Sequence, residues 1–325
     1  MTGKEFTDFY NPERVAKIME SLGFRITKID FPEHERSVDL IADRRDAKLL
    51  VKVTPRFSTR RRDCSELKRV AELLNTDALV ITDRYNRDEI PQDVAYIRGR
   101  IGMVSFATLV SILRGGKVLA YEFNGVLYVK VDGAKLRELR VKRGLSVNAL
   151  SKLVGVSAKA IHEYEQGVMD MRVEVAERFA EIFGDEFEEA IKGVDIFKFR
   201  IRMGSERRVS NYIPQVQNGR SVLVKKAAEY GFEVDAFDHL PSDVLVRIGE
   251  VRAFFSFLSK GISEQQALKK CTENVKLAKE FEGKAVVVAE EVTSDVAKEL
   301  EGIGDVFRFN QIDNVLKELA REARR

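Results

Sequence analysis

Apolar positions along the chain follow two different periods, and the switches between them mark out its elements. The runs LLVKV (49–53), ALVIT (78–82) and AVVVA (285–289) are apolar throughout and rich in β-branched residues, the pattern of strands covered on both faces. Helices on either side of internal sheets follow from that. Residues 117–133, KVLAYEFNGVLYVKVDG, alternate with period two around Asn124-Gly125, a pair that supplies the positive φ angles of a tight turn, so this stretch is predicted as a β-hairpin. From 132 to 191 the period becomes helical. Asp132 caps a first helix carrying Leu136, Leu139 and Val141 and closed by Gly144. Ser146 caps a second, with Ala149, Leu150 and Leu153 facing inward and Gly155 at its end, and Ser157 caps a third, AKAIHEYEQ, closed by Gly167.

A repeat brackets this helical centre. Shifting the sequence by 207 places CSELKRVAELLNTDALVI (64–81) on CTENVKLAKEFEGKAVVV (271–288) without a gap, with identities at Cys64/Cys271, Glu66/Glu273, Ala71/Ala278, Ala78/Ala285 and Val80/Val287. Upstream, VAKIMESLGF ends at Phe24 and VLVKKAAEYGF at Phe232, each passing into a strand; downstream, MVSFATLVSIL parallels VFRFNQIDNVLKELA. Each copy, 5–113 and about 215–325, reads helix, three strands, helix, strand, strand, helix. The expected organisation is an α/β domain at 1–114, a hairpin connector at 115–131, an all-α domain at 132–191, a linker at 192–212 with six Lys+Arg against two acids, and a second α/β domain at 213–325.

Composition narrows the function. Of 325 residues, 55 Lys+Arg against 52 Asp+Glu leave a net charge of +3, so contact with nucleic acid has to come from a local face and not from a coat of charge. No apolar run approaches the ~18 residues of a membrane span, and the first fifteen residues are too polar for a signal peptide, so a cytoplasmic location and no membrane partner are expected. Cys64, Cys271, His34, His162 and His239 lack the spacing of a Cys/His metal site. Gly115-Gly116-Lys117 lacks the rest of a phosphate loop. No cofactor or metal is expected.

The central stretch carries the strongest motif. A helix, a tight Gly turn and a helix, inside about fifty residues of five helices, is the arrangement that sets its second helix in the DNA major groove. Residues 136–184 resemble the Cro and phage-repressor type of helix-turn-helix domain at Arg140, Gly144-Leu145-Ser146, Ala149-Leu150, Gly155-Val156-Ser157, Ile161, Glu165 and Gly167, followed by Ala176, Phe179, Ala180 and Phe183. The whole chain resembles an archaeal family of HTH-type transcriptional regulators with this domain in the middle. The resemblance places Ala158, Lys159, His162 and Glu163 on the outward face of the recognition helix, Ser157 beside a phosphate, and Arg137, Lys142, Arg143 and Lys152 near the backbone. It makes Arg140 and Glu165 an internal ion pair. The bland alternatives are plain solvation for His162 and ordinary surface charge for Arg143 and Lys152. The chain departs from the family at Val147, Ala158 and Val168, which leaves an electrostatically weak recognition helix in need of added contacts or dimerisation.

The first flanking copy resembles the PD-(D/E)xK nuclease fold of archaeal Holliday-junction resolvases through Glu13, Asp39 and Lys52, which implies a restriction-endonuclease-like three-layer fold for both copies. Metal-dependent cleavage needs oxygen ligands converging on the ion. Leu50 stands where the motif has an acid, and the second copy keeps Asp243 but is read as carrying Phe255 and Phe257 at the acid and lysine positions, so both copies are expected to be inactive scaffolds. Arg56, Arg60, Arg61 and Arg62, with Phe57 among them, offer auxiliary phosphate contact or a solvated basic loop. The expected function is a sequence-specific, homodimeric regulator of double-stranded DNA and not an enzyme; the alternatives are a structure-directed repair nuclease or a nuclease-derived scaffold.

Overall fold

The structure, a computed structural model, describes residues 10–198, 219–258, 262–289 and 305–324. Residues 199–212 of the basic linker and 213–218 of the second α/β domain lie outside the described residues. The chain forms two compact units. One gathers Asn11–Val53, Phe57–Ala78 and Ile201–Arg325, and is called here the paired-lobe unit; the other, the helix-turn-helix unit, gathers Met1–Tyr10, Thr54–Arg56 and Leu79–Arg200.

The first lobe of the paired-lobe unit begins with α1 (Pro12–Ser21), whose N-cap Asn11 accepts a hydrogen bond from the Glu13 amide and whose Pro12 needs no partner in the first turn. Val15, Ala16 and Met19 are its buried stripe. The strands β1 (Arg25–Lys28), β2 (Leu40–Arg44) and β3 (Ala47–Val53) follow as an antiparallel meander with Lys28 opposite Leu40 and Leu40 opposite Val51. The helix α2 (Arg62–Leu74) then closes at Asn75, which takes the left-handed conformation at φ 53°.

The helix-turn-helix unit holds most of β4 (Asp77–Ile81), a ribbon of β5 (Arg84–Tyr85) and β6 (Asp88–Glu89), β7 (Val94–Arg98), β8 (Ile101–Val104) and α3 (Phe106–Leu113), capped by Ser105. The predicted hairpin is present as β9 (Ala120–Phe123) and β10 (Val126–Val131), with Asn124 at φ 52° and Gly125 at φ 84° in its turn. It is no free connector: β9 runs parallel beside β7, which pairs antiparallel with β8. Five helices follow, α4 (Gly133–Lys142), α5 (Val147–Val154), α6 (Ala158–Glu165), α7 (Val173–Phe183) and α8 (Asp185–Glu188). Two short strands, β11 (Met171–Arg172) and β12 (Ile191–Lys192), both pair with β10 and fasten the helical module to the sheet. Accordingly Val129 and Val131 of β10 share one core with Leu136, Leu150, Ile161, Phe179 and Phe183. One expectation is corrected here. Leu153 is exposed, at 58%, because in α5 the one-turn pair Leu150 and Val154 takes the core face.

The second lobe of the paired-lobe unit comprises α9 (Gly219–Glu229), β13 (Glu233–Ala236), β14 (Val244–Ile248), β15 (Val251–Leu258), α10 (Glu264–Glu280), β16 (Lys284–Ala289), β17 (Asp305–Arg308) and α11 (Ile312–Glu322). Strands β13, β14 and β15 are antiparallel; β16 and β17 continue the sheet in parallel. Val286 and Val288 pack with Leu223 of α9 and Leu316 of α11, while Val287 packs with Ala267 and Cys271 of α10. Alternate residues of one strand therefore meet helices on opposite faces, which is why AVVVA is apolar throughout.

Candidate nucleic-acid interface

Each helix of the central motif starts on a side-chain cap. Asp132 accepts from the amides of Ala134 and Lys135, Ser146 from Ala149, and Ser157 from Ala160. Gly144, Gly155 and Gly167 end the same helices at φ 65°, 68° and 65°, where a Cβ would be strained. Arg140 binds Glu165 in bidentate fashion, Nε to Oε1 at 2.5 Å and Nη2 to Oε2 at 3.0 Å, and donates a third bond to the Leu145 carbonyl. Both side chains are largely buried, and the carboxylate lifts the guanidinium pKa. The pair expected from the sequence thus ties α4 to the end of α6. The two helices also touch at backbone level, for a Cβ on Gly133 would stand 2.3 Å from the Glu165 carbonyl.

The outward residues of α6 have modest local ties. Lys159 is 83% exposed with Glu163 at 3.7 Å one turn on, and His162 shares a 2.9 Å hydrogen bond with the Gln166 amide. Gln166 was missed in the sequence, although its spacing of four from His162 was there to be seen. Ser157 is exposed and Ala158 half-buried; the Ser157 oxygen accepts from Ala160, which leaves its O–H free to donate. Lys152 and Arg143 are exposed, the latter with its guanidinium carbon 6.0 Å from the centre of the Phe183 ring. Lys142 is instead engaged with Glu186 at 2.6 Å. The remaining acids segregate: Glu174, Glu177, Glu181, Asp185, Glu188 and Glu189 are all exposed on or beside α7 and α8.

The acid site of the first lobe is already filled by the protein. Asp39 accepts from the Val53 amide at 2.8 Å on one oxygen and from Arg36 Nε at 3.2 Å on the other. Lys52 is buried; its Nζ lies 2.8 Å from Asp63 Oδ2 and donates to the Arg36 carbonyl. Asp63, which sequence reasoning did not single out, also takes both arms of Arg61. Burial pushes the Asp63 carboxyl up, but Lys52 and Arg61 outweigh it and hold the pKa below the ordinary value. Glu13 is not part of this cluster. It sits two residues before the inward Val15, points to solvent, and pairs with Lys28. Leu50 is fully buried.

The second lobe solves the same problem with different residues. Asp243 accepts from the Phe257 amide at 2.6 Å and pairs with Lys270 and Arg220. The bonds Asp39 N to Val51 O and Asp243 N to Phe255 O set a shift of 204 between the lobes here, so Leu50 corresponds to Phe254 and Lys52 to Ser256. The expected Phe255 and Phe257 were one residue out, because both strands are apolar runs without period-two markers. The lysine of this lobe comes from α10, at the repeat partner of Asp63. Among the described residues no cluster of three or more His, Cys, Asp or Glu side chains is disposed to hold a metal ion. The residues present do not fit the divalent ion of a nuclease: the one retained acid in each lobe has its oxygens bonded to a backbone amide and a protein cation.

Of the loop arginines, Arg60 and Arg62 are exposed, Arg61 is committed to Asp63, and Arg56, also exposed, belongs to the other unit. Cys64 and Cys271 are buried, and burial pushes their thiols up to about 11 and about 12. No described helix is long and apolar enough to cross a membrane.

Comparison with known proteins agrees with this geometry. Residues 11–118 match a PD-(D/E)XK superfamily domain and residues 133–185 a helix-turn-helix domain. No solved structure matches the chain. A protein of Sulfolobus acidocaldarius named "Putative HTH-type transcriptional regulatory protein" is 27% identical over 309 residues, 94% of this chain and 97% of its own length. Proteins of the same printed description from Saccharolobus solfataricus and Saccharolobus islandicus are 27% and 26% identical over 313 residues, 94% of this chain. The chain thus joins a PD-(D/E)XK superfamily domain to a helix-turn-helix domain and is similar, over nearly its whole length, to archaeal proteins described as HTH-type transcriptional regulators.

Proposed function

We propose that the protein is a sequence-specific transcriptional regulator of double-stranded DNA. Helix α6 enters the major groove, where Ala158, Lys159, His162 and Glu163 face base edges, while Ser157, Lys152 and Arg143 hold phosphates. The observation that carries this reading is the complete set of three capped helices pinned by Arg140 and Glu165, with the outer face of α6 left to solvent. The exposed acids of α7 and α8 repel phosphate, so the module has one electrostatically acceptable way to dock. The flanking lobes are two copies of one restriction-endonuclease-like fold that keep the scaffold without the chemistry; Arg56, Arg60 and Arg62 add backbone contact. Protein cations on Asp39 and Asp243 support the loss of cleavage.

The test is to incubate the full chain with a pool of genomic fragments and Mg²⁺ at two salt concentrations, then sequence the bound DNA and inspect it for cuts. Enrichment of an intact site is expected. Arg143→Ala or Lys152→Ala should weaken binding to all sequences and lower the salt slope by about one, whereas Lys159→Ala should cost about 1–3 kcal/mol and relax the preference at one position. Cut DNA, restored to intact by Asp39→Ala, would make the protein a nuclease; intact DNA held without preference would make it a scaffold.

A further inference from the structure

The two lobes bind each other in both directions, and several of the contacts use equivalent positions. Glu66 of α2 accepts from the amides of Asp238 and His239, each at 2.9 Å, and its repeat partner Glu273 of α10 accepts from the Asp30 amide at 2.9 Å. Asp30 and Asp238 are equivalent, each following the residue whose amide bonds to the carbonyl of its lobe's retained aspartate. Lys48 donates to the carbonyl of Glu280 at 2.7 Å, while Arg247 donates to the carbonyl of Leu73 at 3.2 Å. Leu73 and Glu280 are again partners under the shift of 207. First strands meet opposite helices in the same way: Arg25 and Thr27 of β1 bind Glu280, and Asp235 of β13 binds Arg69.

Glu66 and Glu273 are buried, at 3% and 4% exposure. A buried carboxylate without donors is strongly disfavoured, and backbone amides of the opposite lobe are among the donors these two use. The surface is therefore shaped for a lobe of its own kind.

We propose that the lobes form a homodimer-type pair closed within a single chain, so that association between chains does not run through them. Resting on the regulator reading, one chain then brings one recognition helix per lobe pair to a site without inverted repeats. A surface contact between the lobes offers the test: Glu33 and Lys269 lie 2.9 Å apart, Glu33 exposed and Lys269 half-buried. In the full chain carrying Glu33→Cys and Lys269→Cys, a short bismaleimide should produce a bridged species with the mass of one chain, at high and low protein concentration, with no bridge in the unsubstituted chain. A bridged species of two-chain mass overturns the proposal. So does a failure to bridge when each single variant is labelled by a monomaleimide. Added to the enriched DNA, the bridged protein should bind one chain per duplex; two chains on a palindrome would refute the single-helix consequence and leave the regulator standing. If no DNA is retained, the regulator reading fails while the bridge still scores the pair.

Discussion

At the residue scale, buried charge decides the behaviour of the first lobe. Asp63 is ionised beside Lys52 in a site where both side chains are under 5% exposed. Because its folded pKa is depressed below the ordinary 3.8, its stabilising contribution is complete above that value and is lost as pH falls through the lower one. Asp63→Asn leaves Lys52 buried without its counter-ion and should cost about 3–5 kcal/mol at neutral pH, with a shallower loss of stability in acid; urea titrations at pH 7 and pH 3 read both. A cost that is the same at the two pH values would show that Asp63 acts by packing alone. Arg140→Ala should cost about 2 kcal/mol by removing charged hydrogen bonds and orphaning Glu165. The thiols make a sharper forecast. With Cys64 and Cys271 buried and protonated, neither should react with an aromatic disulfide reagent in the native chain and both should react once it is unfolded.

At the element scale, legibility followed the range of the interaction. Caps and left-handed glycines act within four residues, so Asp132, Ser146, Ser157 and Gly155 could be read directly from the chain, and the hairpin turn with them. What the sequence could not carry was the destination of each strand edge. Nothing in Tyr121-Glu122-Phe123 announces a parallel partner in Ala95-Tyr96-Ile97, and the two-residue strands at Met171 and Ile191 have no pattern at all. Leu153 was misplaced because a short helix offers too few residues to fix its apolar phase. The attachment of the helical module to β9 and β10 has one side-chain bond that can be tested, Tyr121 Oη to Asp170 at 2.7 Å. Tyr121→Phe should cost about 1 kcal/mol and speed amide exchange at Met171 and Arg172 ahead of the rest of the module. Unchanged exchange there would mean that β11 is held by its backbone pairing alone.

At the scale of the whole molecule, the nuclease-like sites show why a motif can be legible while its state is not. Asp39, Lys52 and Leu50 are visible in the sequence, and Leu50 alone argues against cleavage. The replacement cations are not visible, because Arg36 lies three residues from Asp39 in a loop, Arg220 is contributed by a helix, and Lys270 occupies in the second lobe the place that an acid holds in the first. Once a guanidinium or an ammonium occupies each retained carboxylate, a divalent ion has to displace it and leave that cation buried or force it out. Such a site is expected to gain nothing from Mg²⁺. A ligand at one hundred times its Kd stabilises the folded state by about 2.7 kcal/mol, an effect plain in a melting curve, and the expectation here is that Tm in millimolar Mg²⁺ equals Tm in EDTA. A rise in Tm that Asp39→Ala abolishes would show that the ion does displace Arg36. Leu50→Glu sharpens the comparison, since it puts back the acid of the motif at a fully buried strand position. With Arg36 still on Asp39, that change should destabilise the lobe by several kcal/mol, on the order of an unpaired buried charge, without conferring Mg²⁺-dependent nicking. On the proposed reading, the cations account for the loss of cleavage as much as the missing acid does.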